Sequence, residues 1–88
     1  MEEIYKCNVT FSVNNADNTR LIAARLASLI EEHIVREIDE DFYVSSTESE
    51  IRVYLEGSIN KITKIIDLIG TSDEYQMTSA RMTQIKGG

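Results

Sequence analysis

The chain of 88 residues contains no proline, no tryptophan, one cysteine and four glycines. A single thiol, Cys7, closes no disulfide within the chain and builds no multi-cysteine zinc or iron–sulfur site, which points to a reducing, cytoplasmic setting. With no proline, no low-complexity tract and no internal repeat, nothing reads as a linker. No run nears the ~20 apolar residues of a membrane span. The opening Met1-Glu2-Glu3-Ile4-Tyr5-Lys6 has no basic stretch leading into an apolar one, so neither a signal nor a transit peptide is expected. Bases are scarce too. Nine Lys and Arg against fifteen Asp and Glu leave a formal charge of −6, the wrong sign for generic attraction to nucleic acid or an anionic membrane.

What remains is an ordinary globular composition, 42% apolar and 27% charged, in a chain long enough for one core and too short for two. A single domain over residues 1–86 is expected, followed by a flexible tail at Gly87-Gly88. Tyr5, Cys7, Val9, Phe11 and Val13 alternate with Lys6, Asn8, Thr10 and Ser12, the period of a half-buried strand. Asn14 to Asn18 supplies turn residues, with Asp17 or Asn18 as the expected helix cap. Ile22, Leu26, Leu29, Ile30 and Ile34, with Ala23 and Ala27 between them, then recur at helical spacing.

Two further alternations, through Phe42 and Val44 and through Ile51, Val53 and Leu55, flank the polar Thr47-Glu48-Ser49-Glu50 and predict a hairpin. Ser58 is placed to cap a second helix, whose face is Ile59, Ile62, Ile65, Ile66 and Ile69. Gly70 stands where a left-handed residue commonly ends a helix. A blurred alternation through Tyr75, Met77, Ala80, Met82 and Ile85 suits a strand at a sheet edge. The order β-α-β-β-α-β predicts an α+β, ferredoxin-like split βαβ: a four-stranded antiparallel sheet in the order 4-1-3-2, both helices on one face. A β-grasp arrangement would need a hairpin before its helix, and only one strand precedes it here.

This fold hosts many chemistries, so function rests on sites. Soft-metal carriers need paired thiolates after the first strand, whereas Cys7 stands alone in mid-strand as core filler. A phosphate loop needs free backbone amides; Asn14-Asn15-Ala16-Asp17-Asn18 has no glycine and carries a carboxylate, and Arg20 reads as a solvated first-turn cation. Tyr43 and Tyr54 face away from the core, yet no aromatic-glycine string of an RNA-recognition motif accompanies them. His33, the only histidine, has no nucleophile paired to it by spacing and reads as a boundary residue of the first helix. Glu37 to Asp41 lacks the spaced oxygens and glycine of a calcium loop. No catalytic, metal or cofactor constellation is present, so no enzyme activity and no cofactor are expected.

Gly87-Gly88 resembles the tails of ubiquitin-like and sulfur-carrier proteins, but the upstream topology does not match them. Resolved by position, the acidity is local. Glu31, Glu32, Glu37, Asp39, Glu40, Asp41, Glu48 and Glu50 face only Arg36 across residues 31–50, a net of −7, and the rest of the chain sums to +1. Acids in the last turns of a helix oppose its dipole, so stability does not ask for them. The expected partner-binding set is Glu37, Asp39, Glu40, Asp41, Tyr43, Glu48 and Glu50, docking on a basic protein surface such as that of a nucleic-acid-binding protein. In size, acidity and lack of catalytic residues the chain is similar to the small acidic inhibitors and regulators that phages and mobile elements encode. The alternative is a ligand-responsive homodimer similar to ACT domains, without their usual glycine after the first strand. A homodimer through the open sheet face, using Asn8, Thr10, Tyr54 and Thr78, is compatible with both.

Overall fold

The structure is a computed structural model that describes residues 3–34, 41–70 and 72–86. It contains β1 (Ile4–Val13), a 3-10 turn (Ala16–Asn18), α1 (Thr19–Ile34), β2 (Asp41–Ser46), β3 (Glu50–Gly57), α2 (Ile59–Ile69) and β4 (Tyr75–Lys86). The sheet order is β2-β3-β1-β4 with every pair antiparallel, so the fold is the ferredoxin-like one that the alternations predict. The two central strands carry the fully apolar inner rows. Cys7, Val9, Phe11 and Val13 of β1 and Ile51, Val53 and Leu55 of β3 form one buried cluster with Ile22, Leu26 and Ile30 of α1 and Ile62, Ile65 and Ile69 of α2. Both helices therefore lie on the same side of the sheet, and its other face is open.

Local details differ from the sequence expectation in four places. Asn15, rather than Asp17 or Asn18, caps the chain's entry to α1: its Oδ1 accepts from the Asp17 N–H at 3.1 Å, because a 3-10 turn precedes the helix and moves the cap upstream. Gly70 closes α2 at φ −85, ψ 4, and its N–H donates to the Ile66 carbonyl at 2.8 Å. The left-handed region is not used. Ile59 is exposed, since the first turn of α2 starts at the margin of the buried stripe. His33 is exposed as well and takes no part in the helix boundary with the core. Ser58 does cap α2, accepting from the Lys61 N–H, and Tyr75 donates its hydroxyl to the Ile69 carbonyl, tying the end of α2 to the start of β4.

The blurred pattern of β4 has a definite cause. Met77 lies opposite Phe11 and Ala80 opposite Val9, so β4 uses three residues where β1 uses two. This bulge shifts the alternation by one: Tyr75 and Met77 share the inner face with Ala80 and Met82 although their numbers change parity. The Thr78 hydroxyl at the bulge donates to the Thr10 carbonyl at 3.2 Å.

Candidate functional site

β2 is an edge strand with Phe42 and Val44 half-buried toward α1, which sends Tyr43 and Ser45 to the open face. The hairpin register sets Tyr43 opposite Tyr54. Their rings stack with centroids 5.1 Å apart and an interplanar angle of 20°, an arrangement of the offset type that aromatic pairs favour. Tyr43 remains 59% exposed, while Tyr54 is half-buried and donates its hydroxyl to Glu56 Oε2 at 2.8 Å. A shallow cavity of about 210 Å³ lies beside the pair, lined by Asn8, Thr10, Ser45 and Arg52 together with the two tyrosines. Arg52 approaches Glu50 at 3.8 Å with both side chains well exposed, a pair that contributes little.

Of the expected acidic set, Asp41, Glu48 and Glu50 are the described members. Asp41 opens β2 opposite Glu56, whereas Glu48 sits in the hairpin beyond Ser46 and Glu50 opens β3. Glu50 pairs with Thr47, six residues along from Asp41, so the two acidic ends lie about 20 Å apart at the usual rise. Glu31 and Glu32 are exposed in the last turns of α1. Glu37, Asp39 and Glu40 lie outside the described residues, as do Arg36 and the Gly87-Gly88 tail. Tyr43 stands midway between Asp41 and the hairpin. The two tyrosines were both legible as outward residues. Their contact was also within reach of the sequence, because a hairpin centred on Glu48-Ser49 sets residue 43 against residue 54.

A second groove lies where α1 begins against the hairpin, lined by Asp17, Thr19, Arg20, Ser46, Thr47 and Glu48. Thr19 is buried and its hydroxyl reaches both the Ala16 carbonyl at 2.8 Å and the Glu48 carbonyl at 3.0 Å. The neighbouring amides are engaged: Asn18 N–H on the Asn15 carbonyl and Asp17 N–H on the Asn15 side chain within the loop, and Asn14 N–H on the Glu74 carbonyl just before β4. Cys7 is 1% exposed, and burial pushes its thiol pKa up, away from the thiolate that nucleophilic or metal chemistry needs. Among the described residues no three His, Cys, Asp or Glu side chains gather as a metal site, and no helix is long and apolar enough to cross a membrane.

The chain matches no protein-family model and no curated protein. Among solved structures it is similar to the de novo designed protein Ferredog-Diesel, with a TM-score of 0.67 and 12% identity over 94% of this chain and 86% of that one. A de novo designed protein with a ferredoxin fold superposes at a TM-score of 0.60, with 15% identity over 99% of this chain and 88% of that one. An acylphosphatase from Coxiella burnetii does so at 0.50, with 10% identity over 96% and 83% of the two chains. At these identities the likeness is one of fold alone.

Proposed function

We propose that the protein is a non-enzymatic, cytoplasmic binding module, an inhibitor or regulator of the small acidic type, that docks its β2 edge on a basic surface of a partner protein. The observation that carries this reading is the position of Tyr43: a largely exposed ring, braced from behind by Tyr54, at the middle of an edge strand whose two ends bring acidic residues. Exposed aromatic rings held rigid by a neighbour lose little entropy on contact and are favoured as interface anchors. Carboxylates around such an anchor steer a cationic partner and raise its association rate. The spacing sets a footprint: a partner must offer cations about 20 Å apart with an apolar recess between them.

The test is capture of basic proteins from the native host by wild type, by Tyr43→Ala and by the triple variant Glu40→Lys, Asp41→Lys, Glu48→Lys. The triple variant should lose its partner while its melting temperature stays near that of the wild type, and added salt should reproduce the loss. Tyr43→Ala should release the same partner with little change in salt dependence. Undiminished capture by the triple variant rejects the acidic edge.

A further inference from the structure

Charge is divided across the sheet. β4 contains Arg81 and Lys86 and no acid, and its neighbour β1 contributes only Lys6. On the opposite edge β2 contains Asp41 and no base, its hairpin adds Glu48 and Glu50, and β3 beside it adds Glu56 against one base, Arg52. β4 is also long for an edge: twelve residues, about 40 Å of strand, beside the eleven residues of α2, about 16 Å of helix. Its residues 76–85 are exposed throughout, including Met77, Met82 and Ile85. No proline interrupts it, and Arg81 is its one charge before the final Lys86. Such an edge is a template for another strand.

The backbone donors of both edges can be located. Val13 N–H bonds to Ser49 O and Asn14 N–H to Glu74 O, so odd residues of β1 bond toward β3 and even ones toward β4. Arg81 and Thr83, opposite Asn8 and Lys6, therefore point their N–H and C=O groups inward, and Ala80, Met82 and Gln84 point theirs outward. On β2, Thr47 N–H bonds to Glu50 O, which leaves Phe42, Val44 and Ser46 pointing outward.

We propose that, while no partner protein occupies β2, the β4 edge of one copy of this chain pairs antiparallel with the β2 edge of a second copy, with Ser46, Val44 and Phe42 opposite Ala80, Met82 and Gln84. All six residues have outward backbone groups, so the register forms a continuous ladder. It also keeps the faces in phase: Val44 meets Met82 on the helix side, and on the open side Tyr43 lies beside Thr83 and diagonal to Arg81, within reach of a cation–π contact. Charge favours this pairing over β4–β4 or β2–β2, because β1 and β4 together carry Lys6, Arg81 and Lys86 with no acid, whereas β2, its hairpin and β3 carry Asp41, Glu48, Glu50 and Glu56 against Arg52 alone. Copies related by a simple sideways displacement already run their β2 and β4 strands antiparallel. The contact is head-to-tail, so each added copy presents the same two edges again and the series stays open.

Sedimentation equilibrium of the full chain at low salt tests this. The wild type should gain mass beyond a dimer as concentration rises. Met82→Pro and Ser46→Pro each remove one outward N–H without breaking the internal ladder, and each variant alone should be monomeric. Mixed in equal amounts they should form a 1:1 dimer that grows no further, since one supplies the intact β2 and the other the intact β4. Circular dichroism checks that each is folded. If a proline variant does not fold, Asp41→Lys and Arg81→Glu replace them: each alone should weaken association roughly tenfold, and the mixture should restore it. A wild type that stays monomeric, a Ser46→Pro variant that still dimerises through β4 alone, or a mixture that forms no complex overturns the proposal.

Discussion

Replacing Thr19 by valine isolates one interaction that joins the two halves of the fold. Thr19 is 2% exposed at the start of α1, and valine keeps its shape, its volume and its β-branch, so packing and helix propensity barely change. Only the hydroxyl is lost. A hydroxyl has one proton, and two carbonyls lie within reach of it, those of Ala16 and Glu48. The Ala16 carbonyl also accepts the Thr19 backbone N–H and stays satisfied without the hydroxyl. The loss therefore falls on the Glu48 carbonyl, in the hairpin. A neutral hydrogen bond contributes about 0.5–1.5 kcal/mol, and a carbonyl stranded away from water costs about 1–3 kcal/mol. Glu48 is itself exposed, so water reaches part of its backbone and the lower range applies. Thr19→Val should destabilise by about 1 kcal/mol, lowering Tm by roughly 4–8 °C in a domain of this size. Urea unfolding should show a lower midpoint at unchanged slope, and hydrogen exchange at Thr47 should accelerate more than in the centre of β1. Thr19→Ser, which keeps the donor, should retain the hairpin protection. If valine matches the wild type within about 0.3 kcal/mol, the hydroxyl does not hold the hairpin and the reasoning fails.

Two more substitutions probe the core. Tyr75→Phe keeps the edge-to-face contact with Phe11, at 4.9 Å and 72°, but strands the Ile69 carbonyl at the end of α2, and about 1 kcal/mol of stability should be lost; a double-mutant cycle of Tyr75→Leu with Phe11→Leu, which removes the ring contact, should show coupling of about 0.5–1.5 kcal/mol. Cys7 should resist alkylation in the folded chain at pH values where the urea-unfolded chain reacts fully, and labelling at equal rates would show that the strand opens. Burial raises the pKa of both the Cys7 thiol and the Tyr75 phenol, so the unfolded chain gives up those protons first as pH climbs. Stability is thus complete below their ordinary pKa values and declines as pH rises toward the folded ones; Cys7→Ala should flatten the earlier part of that decline in a urea-midpoint series against pH.

The alternations of β1, β2 and β3 and the helical stripes were legible because each repeats the period of its own element, and a short chain with one core leaves few ways to bury those faces together. Charge was legible only as a count along the chain. Asp41 opens β2 and Glu48 sits in the hairpin beyond its other end, a separation that a linear tally cannot express. The caps at Asn15 and Gly70 escaped the sequence because either of two adjacent polar residues, or either glycine conformation, satisfies the same pattern, and the neighbouring turn decides.

The sequence by itself determined the element order and the inner rows of the two central strands, since hydrophobic periodicity is a local property. Only the tertiary structure decided that the blurred alternation of β4 is a bulge opposite Thr10 and Phe11, that Tyr43 leans on Tyr54, and that the hairpin acids and Arg81 belong to opposite sides of the sheet. Each of these depends on which backbone lies beside which, and register is a relation between strands that no single strand contains.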